Sequence, residues 1–180
     1  MKKLLIGAFV GSIILFIWQF LSWGLLDLHG SQMEHTPQQD AIMEALNSAD
    51  LEEGDYFMPR APRGASAEEA EAAMSDAEGN PWALVRYRAS MKNQMGLNMF
   101  RGWVISFVSV LLLGWLLGQF AEVDIKKAVL AALSVGVIGY LTISYLNSIW
   151  FEGNSIPDLI DAIIPWGVTG AWLGWWMPRE

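Results

Sequence analysis

The sequence contains no cysteine, so disulfide bonds, thiolate metal sites and cysteine nucleophiles are all excluded. Charged residues make up only 17% of the 180 residues, which is low for a water-soluble domain. The net charge of −8 argues against nucleic acid as a partner, because nucleic-acid binding needs clustered lysine and arginine. HExxH, GxSxG and phosphate-loop motifs are also missing, so no catalytic site and no cofactor are predicted.

Hydrophobic residues, by contrast, make up 53% of the chain, and its ten tryptophans favour the headgroup level of a membrane. A helix needs roughly 20 apolar residues to cross the hydrocarbon core of a bilayer. Four stretches meet or approach that length, at residues 4–26, 100–120, 128–146 and 157–177. The last is the least apolar, because it contains Asp158, Asp161 and Pro165. The sequence therefore predicts an all-α membrane protein with a bundle of four transmembrane helices.

The first stretch follows Lys2 and Lys3, as in a signal peptide, but its apolar run is too long and no small-residue cleavage site follows. Residues 1–26 are therefore interpreted as an uncleaved anchor. With four crossings, the basic residues of the short segments fall on one side: Lys2, Lys3, Lys126, Lys127 and Arg179. Because such residues stay in the cytoplasm, both termini are predicted to be cytoplasmic. The C-terminal region 99–180 holds the other three spans.

Residues 27–98 are then placed outside, and this segment is acidic, with 13 Asp or Glu against 5 Lys or Arg. Thr36-Pro37-Gln38-Gln39 resembles a capping box that starts a helix running to about Leu51. Ser66-Ala67-Glu68-Glu69 is a second capping box, whose Ala/Glu helix ends near Gly79. Tyr56–Met58 and the alternating stretch Trp82–Ala89 can pair as a short two-stranded ribbon. We expect a small, mainly helical extracytoplasmic module, with disorder of residues 60–80 as the alternative.

Small residues recur at four-residue spacing in every predicted span. The pairs are Gly7 and Gly11, Gly114 and Gly118, Ala132 and Gly136, and Gly170 and Gly174. This spacing places a smooth stripe on one helix face, along which two backbones can approach closely in lipid. The stripes are interpreted as packing seams within the bundle, and docking to a partner helix is the alternative for a stripe left over.

Ionisable residues fall at the edges of two predicted spans. Arg101 opens the second span, and Asp158 and Asp161 lie three residues apart at the start of the fourth. Ser155-Ile156-Pro157-Asp158 resembles a capping box, so Asp158 is interpreted as a cap carboxylate. Asp161 lies one turn deeper and is either hydrated from the interface, paired with Arg101, or part of a proton or cation site. His29, two residues after Asp27 at the exit of the first span, is interpreted as a solvated side chain, and metal binding or titration near neutral pH is the alternative.

Met91, Met95 and Met99 recur every four residues before the second span. On a helix they would line one face, and thioethers are soft ligands suited to Cu(I). Packing is the main interpretation, because methionine commonly fills gaps in apolar contacts.

The layout resembles a family of small four-span bacterial inner-membrane proteins that have one large exported loop. The residues that carry the resemblance are the Lys2–Trp23 anchor, the acidic helix 37–51 before Asp55-Tyr56-Phe57-Met58-Pro59, and Ser144–Gly174 with Trp150 and Asp161. The resemblance covers most of the chain. It implies the four-span topology and a bacterial inner-membrane setting, and it implies no activity.

The leading functional hypothesis is a non-enzymatic membrane subunit or accessory protein. Its striped helices and acidic outer module would contact a membrane-protein partner or a second copy of the chain. The alternative is a small proton or cation transporter or channel that uses Asp161, Arg101 and a helix break at Pro165. A periplasmic metal sensor or carrier that uses the three methionines and a histidine is a third hypothesis.

Overall fold

The computed structural model describes residues 1–177, which are mostly helical and include one small two-stranded sheet. Arg179, one of the basic residues used to orient the chain, lies outside the described part. The elements in chain order are α1 (Lys2–Leu25), α2 (Gln39–Ser48), β1 (Gly54–Met58), α3 (Ala67–Ala77), β2 (Ala83–Tyr87), α4 (Met95–Leu117), α5 (Ile125–Phe151) and α6 (Ile156–Trp176).

The chain divides into two compact units, Met1–Glu34 with Gln94–Glu180 and His35–Asn93. The larger unit contains α1, α4, α5 and α6, and the smaller contains α2, α3 and the two strands. The extramembrane module was expected at residues 27–98. In the structure, residues 27–34 and 94–98 belong with the long helices instead.

Three helices, α1, α4 and α5, are long and apolar enough to cross a membrane. α6 has 21 residues but is not among them. It carries Asp158 and Asp161 in its first two turns and has two prolines and four tryptophans, which lower its mean hydropathy. Three of the four predicted spans are therefore confirmed as long apolar helices, and the four-span bundle is not established by composition alone.

Within the larger unit, α6 packs between α1 and α5, and α4 packs on α1. The neighbours run antiparallel, because Gly7 near the start of α1 meets Trp176 at the end of α6, and Gly174 meets Ile125 at the start of α5. Small and branched apolar side chains fill the contact region: Ala8, Leu15, Val110, Leu113, Leu117, Ala128, Ala132 and Leu173. Alanine and glycine allow these backbones to approach closely where lipid supplies no hydrophobic force between helices.

The smaller unit is built on the antiparallel pair β1–β2, in which Tyr56 lies opposite Val85. This pair confirms the predicted ribbon. The hydroxyl of Tyr87, which is 9% exposed, donates to Oδ1 of Asn47 in α2 at 3.1 Å and so ties the ribbon to that helix. Asp55 of β1 pairs with Arg86 of β2, whose Nε lies 3.3 Å from Oδ2, and with Arg88 directly after β2, whose Nη2 lies 3.0 Å from Oδ1.

One of the two capping boxes predicted for this unit is formed. Ser66 caps α3, since its hydroxyl accepts from the N–H of Glu69 and its own N–H donates to the Glu69 carboxylate. The hydrogen bond that the Ser66 N–H donates to the carboxylate, and second to it the Ser66 hydroxyl, hold the pKa of Glu69 below its ordinary value. The box predicted at Thr36 is wrong, because α2 begins only at Gln39 and the Thr36 hydroxyl bonds to Gln38 instead.

Candidate functional site

Polar side chains converge where α1 ends and α6 begins, within the larger unit. We call this group the polar cluster, and its members are Trp18, Ser22, His29, Gln32, Ser144, Asp158 and Asp161. Most are far apart in sequence and are brought together by the antiparallel packing of α1, α5 and α6.

The end of α1 is shaped to return the chain onto α6. Its last turn, Leu21–Leu25, is π-helical, and such turns often occur at functional sites. Asp27 then adopts a positive φ of 47°, which aspartate tolerates better than most residues. A 3-10 turn at Gly30–Gln32 follows. This path stacks the ring of His29 on that of Trp23, with centroids 3.9 Å apart and planes 4° from parallel.

Asp161 is the centre of the polar cluster. Its Oδ1 accepts from Trp18 Nε1 at 2.8 Å and from Ser22 Oγ at 2.7 Å, and its Oδ2 lies 3.0 Å from Nε2 of His29. The Ser22 side chain is fully buried and that of His29 is 4% exposed, whereas Asp161 is 24% exposed. Buried polar groups need hydrogen-bond partners, and these have them. The cluster therefore fastens the end of α1 to α6.

Gln32 bridges the two carboxylates of α6. Its Oε1 lies 2.7 Å from Nδ1 of His29, and its Nε2 donates to the carbonyl of Asn154 and to Oδ2 of Asp158, each at 2.7 Å. One amide side chain therefore links the histidine to the segment before α6 and to the first turn of that helix.

A second π-helical segment, Tyr140–Tyr145 in α5, lies on the other side of α6. Ser144 in this segment donates to Oδ1 of Asp158 at 3.2 Å. The buried Tyr140 hydroxyl lies 3.1 Å from the hydroxyl of Ser155, which precedes α6. Both helices that flank α6 thus widen into π-helix where they contribute polar groups to it.

The capping box predicted at Ser155 is wrong. Ser155 occupies the N-cap position of α6, but its side chain makes no cap hydrogen bond. The carboxylate of Asp158 is taken by Gln32 and Ser144, and the N–H of Ile156 donates to the side chain of Asn154 at 3.1 Å. Side-chain donors from α5 and from the turn after α1 have replaced the local cap.

The structure brings Asp158 and Asp161 together in the cluster but does not bring Arg101 to them. Within residues 1–177, Asp161 contacts His29 and forms no ion pair with Arg101, which is exposed. The predicted ion pair between Arg101 and Asp161 is therefore not formed. The predicted helix break is also not found, because α6 runs through the buried Pro165. Proline lacks an N–H, so the carbonyl of Asp161 loses its donor four residues on.

The small residues of α5 and α6 face each other. A methyl group added to Gly170 would lie 2.7 Å from Cβ of Ala132, and one added to Gly174 would lie 2.6 Å from Cα of Ile125. A methyl group on Gly136 would collide with a backbone carbonyl of α6. These contacts lie within one chain.

The small residues of α1 and α4 also face helices of the same bundle. The nearest contacts of an added methyl group would be Trp176 for Gly7, Val110 for Gly11 and Leu4 for Gly114. Gly118 differs, because α4 ends at Leu117 and the atoms nearest to Gly118 belong to its own helix. The stripes are thus used for packing within the chain, which leaves little of them for a partner helix.

The three methionines do not share a helix face. α4 begins at Met95, so Met91 precedes it, and all three side chains are exposed. Of the three methionines predicted to line one helix face, only Met95 and Met99 lie on α4. Among the described residues there is also no group of three or more His, Cys, Asp or Glu side chains that could hold a metal ion.

Sequence reasoning missed most of the polar cluster. The sequence predicts a solvated His29, with metal binding or titration as the alternative, and it predicts no role for Trp18, Ser22 or Gln32. One feature of the sequence indicates the cluster: two carboxylates at the start of a span need hydrogen-bond donors, and a histidine that could supply one follows the end of another span. Comparison of the chain with protein-family models, curated proteins and solved structures gives no match.

Proposed function

We propose that the chain is an integral protein of a bacterial inner membrane that crosses the bilayer four times. α6 packs along α1 and α5, from Gly174 beside the start of α5 to Asp161 beside the end of α1. A helix that lies between two membrane-spanning helices over this length shares their layer. Lys2, Lys126 and Lys127 then lie at one end of the bundle, which favours cytoplasmic termini.

In this topology the His35–Asn93 unit is outside, and the protein acts as a non-enzymatic subunit or accessory protein. The observation that carries the proposal is the polar cluster. It fastens residues 29–32, directly before the outer unit in sequence, to α6. The outer unit is therefore connected to the bundle through an anchored segment. It exposes apolar side chains, including Ile42, Trp82 and Leu84, that a protein partner or a second copy can cover.

A proton or cation transporter is the second candidate. The observation that favours it is the hydrogen-bonded chain from Asp161 through His29 and Gln32 to Asp158, because ionisable groups in a bundle often mark ion pathways. Neither Arg101 nor a break at Pro165 contributes to this candidate.

The topology is tested by single-cysteine labelling, for which the chain is suited because it has no cysteine of its own. Ser75→Cys in the outer unit and Gly153→Cys between α5 and α6 should react with a membrane-impermeant maleimide on intact cells. Glu122→Cys, in the turn between α4 and α5, should react only after permeabilisation. Labelling of Glu122→Cys on intact cells would contradict the four-span topology.

The function is tested by site-specific photocrosslinking in cells. A photoreactive amino acid at Leu84, which is 54% exposed, should form adducts with another protein or with a second copy. The matched control is the same amino acid at Glu71, an exposed position on the acidic helix α3. Equal adducts at both positions, or a monomer without adducts, would contradict the proposal. Proton or cation flux in liposomes that Asp161→Asn abolishes would instead favour the transporter.

A further inference from the structure

The directions of the hydrogen bonds around Gln32 determine where hydrogens lie on His29. The side-chain nitrogen of Gln32 faces two atoms that accept, the carbonyl of Asn154 and a carboxylate oxygen of Asp158. The amide oxygen of Gln32 therefore faces Nδ1 of His29, at 2.7 Å. An amide oxygen can only accept a hydrogen bond, so Nδ1 must carry a hydrogen.

The second ring nitrogen of His29 also faces an acceptor. Nε2 lies 3.0 Å from Oδ2 of Asp161, whose other oxygen accepts from Trp18 and Ser22. A neutral imidazole has only one N–H, and Nδ1 already uses it. Two lone pairs do not form a hydrogen bond, so one additional proton must lie between Nε2 and Oδ2.

The stacked indole indicates that this proton is on the ring. The ring of His29 lies parallel to that of Trp23 at 3.9 Å, and the face of an indole attracts a cation. Two acidic groups face the ring, Asp161 on α6 directly and Asp158 through Gln32, and Asp27 precedes it by two residues in the same turn. Among the hydrogen bonds of the polar cluster, no lysine or arginine takes part.

We infer that His29 and Asp161 form a proton-binding site in which the proton is the ligand that closes the contact between the end of α1 and α6. With the proton bound, the imidazolium of His29 donates to Gln32 and to Asp161 at once. Without it, one of these two contacts becomes a repulsion between lone pairs, and the turn that leads to the outer unit loses one attachment. The inference rests on hydrogen-bond geometry and does not depend on the topology or on a partner.

Rotation of the Gln32 amide does not remove the need for a proton. The nitrogen would then donate to Nδ1, and a neutral ring could donate from Nε2 to Asp161. The amide oxygen would face the carbonyl of Asn154 and the carboxylate of Asp158, so the additional proton would be needed on Asp158. The state of the ring therefore distinguishes the site we infer from this arrangement.

The experiment is ¹⁵N NMR of the imidazole ring in the full-length protein in micelles at neutral pH. The chain has only two histidines, and His35→Gln removes the exposed second one. We expect both ring nitrogens of His29 to be protonated. A neutral ring with its hydrogen on either nitrogen would overturn the inference.

Two variants should each remove the proton from a different nitrogen of the His29 ring. In Asp161→Asn, the amide oxygen still accepts from Trp18 and Ser22 while its nitrogen donates to Nε2, so the ring should become neutral with its hydrogen on Nδ1. In Gln32→Leu, Nδ1 has no acceptor, so the ring should become neutral with its hydrogen on Nε2. A doubly protonated ring in folded Asp161→Asn would contradict a site made by His29 and Asp161, and one in folded Gln32→Leu would contradict the role given to Gln32.

Asp158→Asn is the matched control, because Asp158 contacts Gln32 and not the ring. His29 should stay doubly protonated in this variant, and loss of a ring proton would assign the site to Asp158 instead. If a variant fails to fold, the ring spectrum of the His35→Gln protein still decides the inference.

Discussion

The seam between α5 and α6 gives the sharpest prediction, through the change Gly170→Ala. The added Cβ would lie 2.7 Å from Cβ of Ala132, 2.8 Å from Cα of Val129 and 2.9 Å from the carbonyl oxygen of Ala128. Two of these atoms belong to the backbone of α5 and cannot rotate away. Carbon atoms in contact are normally about 3.5–4.0 Å apart, so the seam must widen by about 1 Å.

Overpacking of this kind costs about 1–3 kcal/mol, and the higher helix propensity of alanine offsets up to about 1 kcal/mol of it. We therefore expect Gly170→Ala to reduce the free energy of unfolding by up to about 3 kcal/mol, and to be about 1–3 kcal/mol less stable than an alanine variant that gains the same helix propensity without the overlap. The matched control is Gly139→Ala in α5, where an added Cβ meets nothing within 4 Å. That variant should be unchanged or slightly more stable.

The assay is unfolding in mixed micelles with a rising fraction of SDS, followed by tryptophan fluorescence. Trp166, one of the ten tryptophans that contribute to the signal, lies at the same seam, next to Gly136. If Gly170→Ala unfolds at the same SDS fraction as Gly139→Ala, or at a higher one, the close backbone contact between α5 and α6 is refuted.

Three further predictions concern single hydrogen-bonded sites. Ser66→Ala should destabilise the first turn of α3 by about 1 kcal/mol, measured by amide hydrogen exchange. The pKa of Glu69 is lower in the folded state than in the unfolded state. The stability that the Glu69 carboxylate gives to α3 is therefore present above the unfolded pKa and is lost as pH falls through the folded pKa. Protection of the α3 amides from exchange should accordingly decrease in acid. Tyr87→Phe should lower protection of β2 by about 1 kcal/mol through loss of the bond to Asn47, unless water replaces the hydroxyl. Ser22→Ala should destabilise the bundle by about 1–3 kcal/mol in SDS titration, because it removes a buried donor to the carboxylate of Asp161. The control is Ser134→Ala, at an exposed hydroxyl that bonds within its own helix, and it should have no such effect.

The features predicted correctly depend on short-range sequence patterns. α1, α4 and α5 are long apolar runs, the ribbon follows from alternation beside β-forming residues, and the box at Ser66 follows from four adjacent residues. In each case the pattern and the physical cause lie within the same segment. The fourth span was the least apolar of the predicted spans, and it is the one whose composition does not establish it.

The features that were missed depend on contacts between distant residues. Asp161 lies 132 positions from His29 and 139 from Ser22, so no local pattern links them. The box predicted at Ser155 fails for the same reason, because donors from other elements occupy the carboxylate that would have formed it. A single histidine after a span belongs to no periodic pattern. The only indication of its role in the sequence is that the two carboxylates of the fourth span have no donor nearby.

The distribution of polar groups along the contact between α1 and α6 bears on the choice between the two candidate functions. Beyond the polar cluster, the next buried polar residues are Ser12, which bonds to a carbonyl of its own helix, and Thr169, whose methyl group lies against Gly11. Within residues 1–177, the hydrogen bonds of the cluster do not extend through these residues to the far end, where Trp172 donates to the carbonyl of Gly7.

A proton that entered at Asp161 would therefore have to cross an apolar stretch that includes the buried Leu15, or the helices would have to separate to admit water. The close contacts of Gly7 with Leu173 and Trp176, and of Gly11 with Thr169, make separation of α1 from α6 costly, because closely packed interfaces do not deform gradually. A proton bound at one end can still act without crossing the bundle, since it changes how firmly the turn after α1 is attached to α6. This arrangement supports the proposal of an accessory protein over the proposal of a transporter.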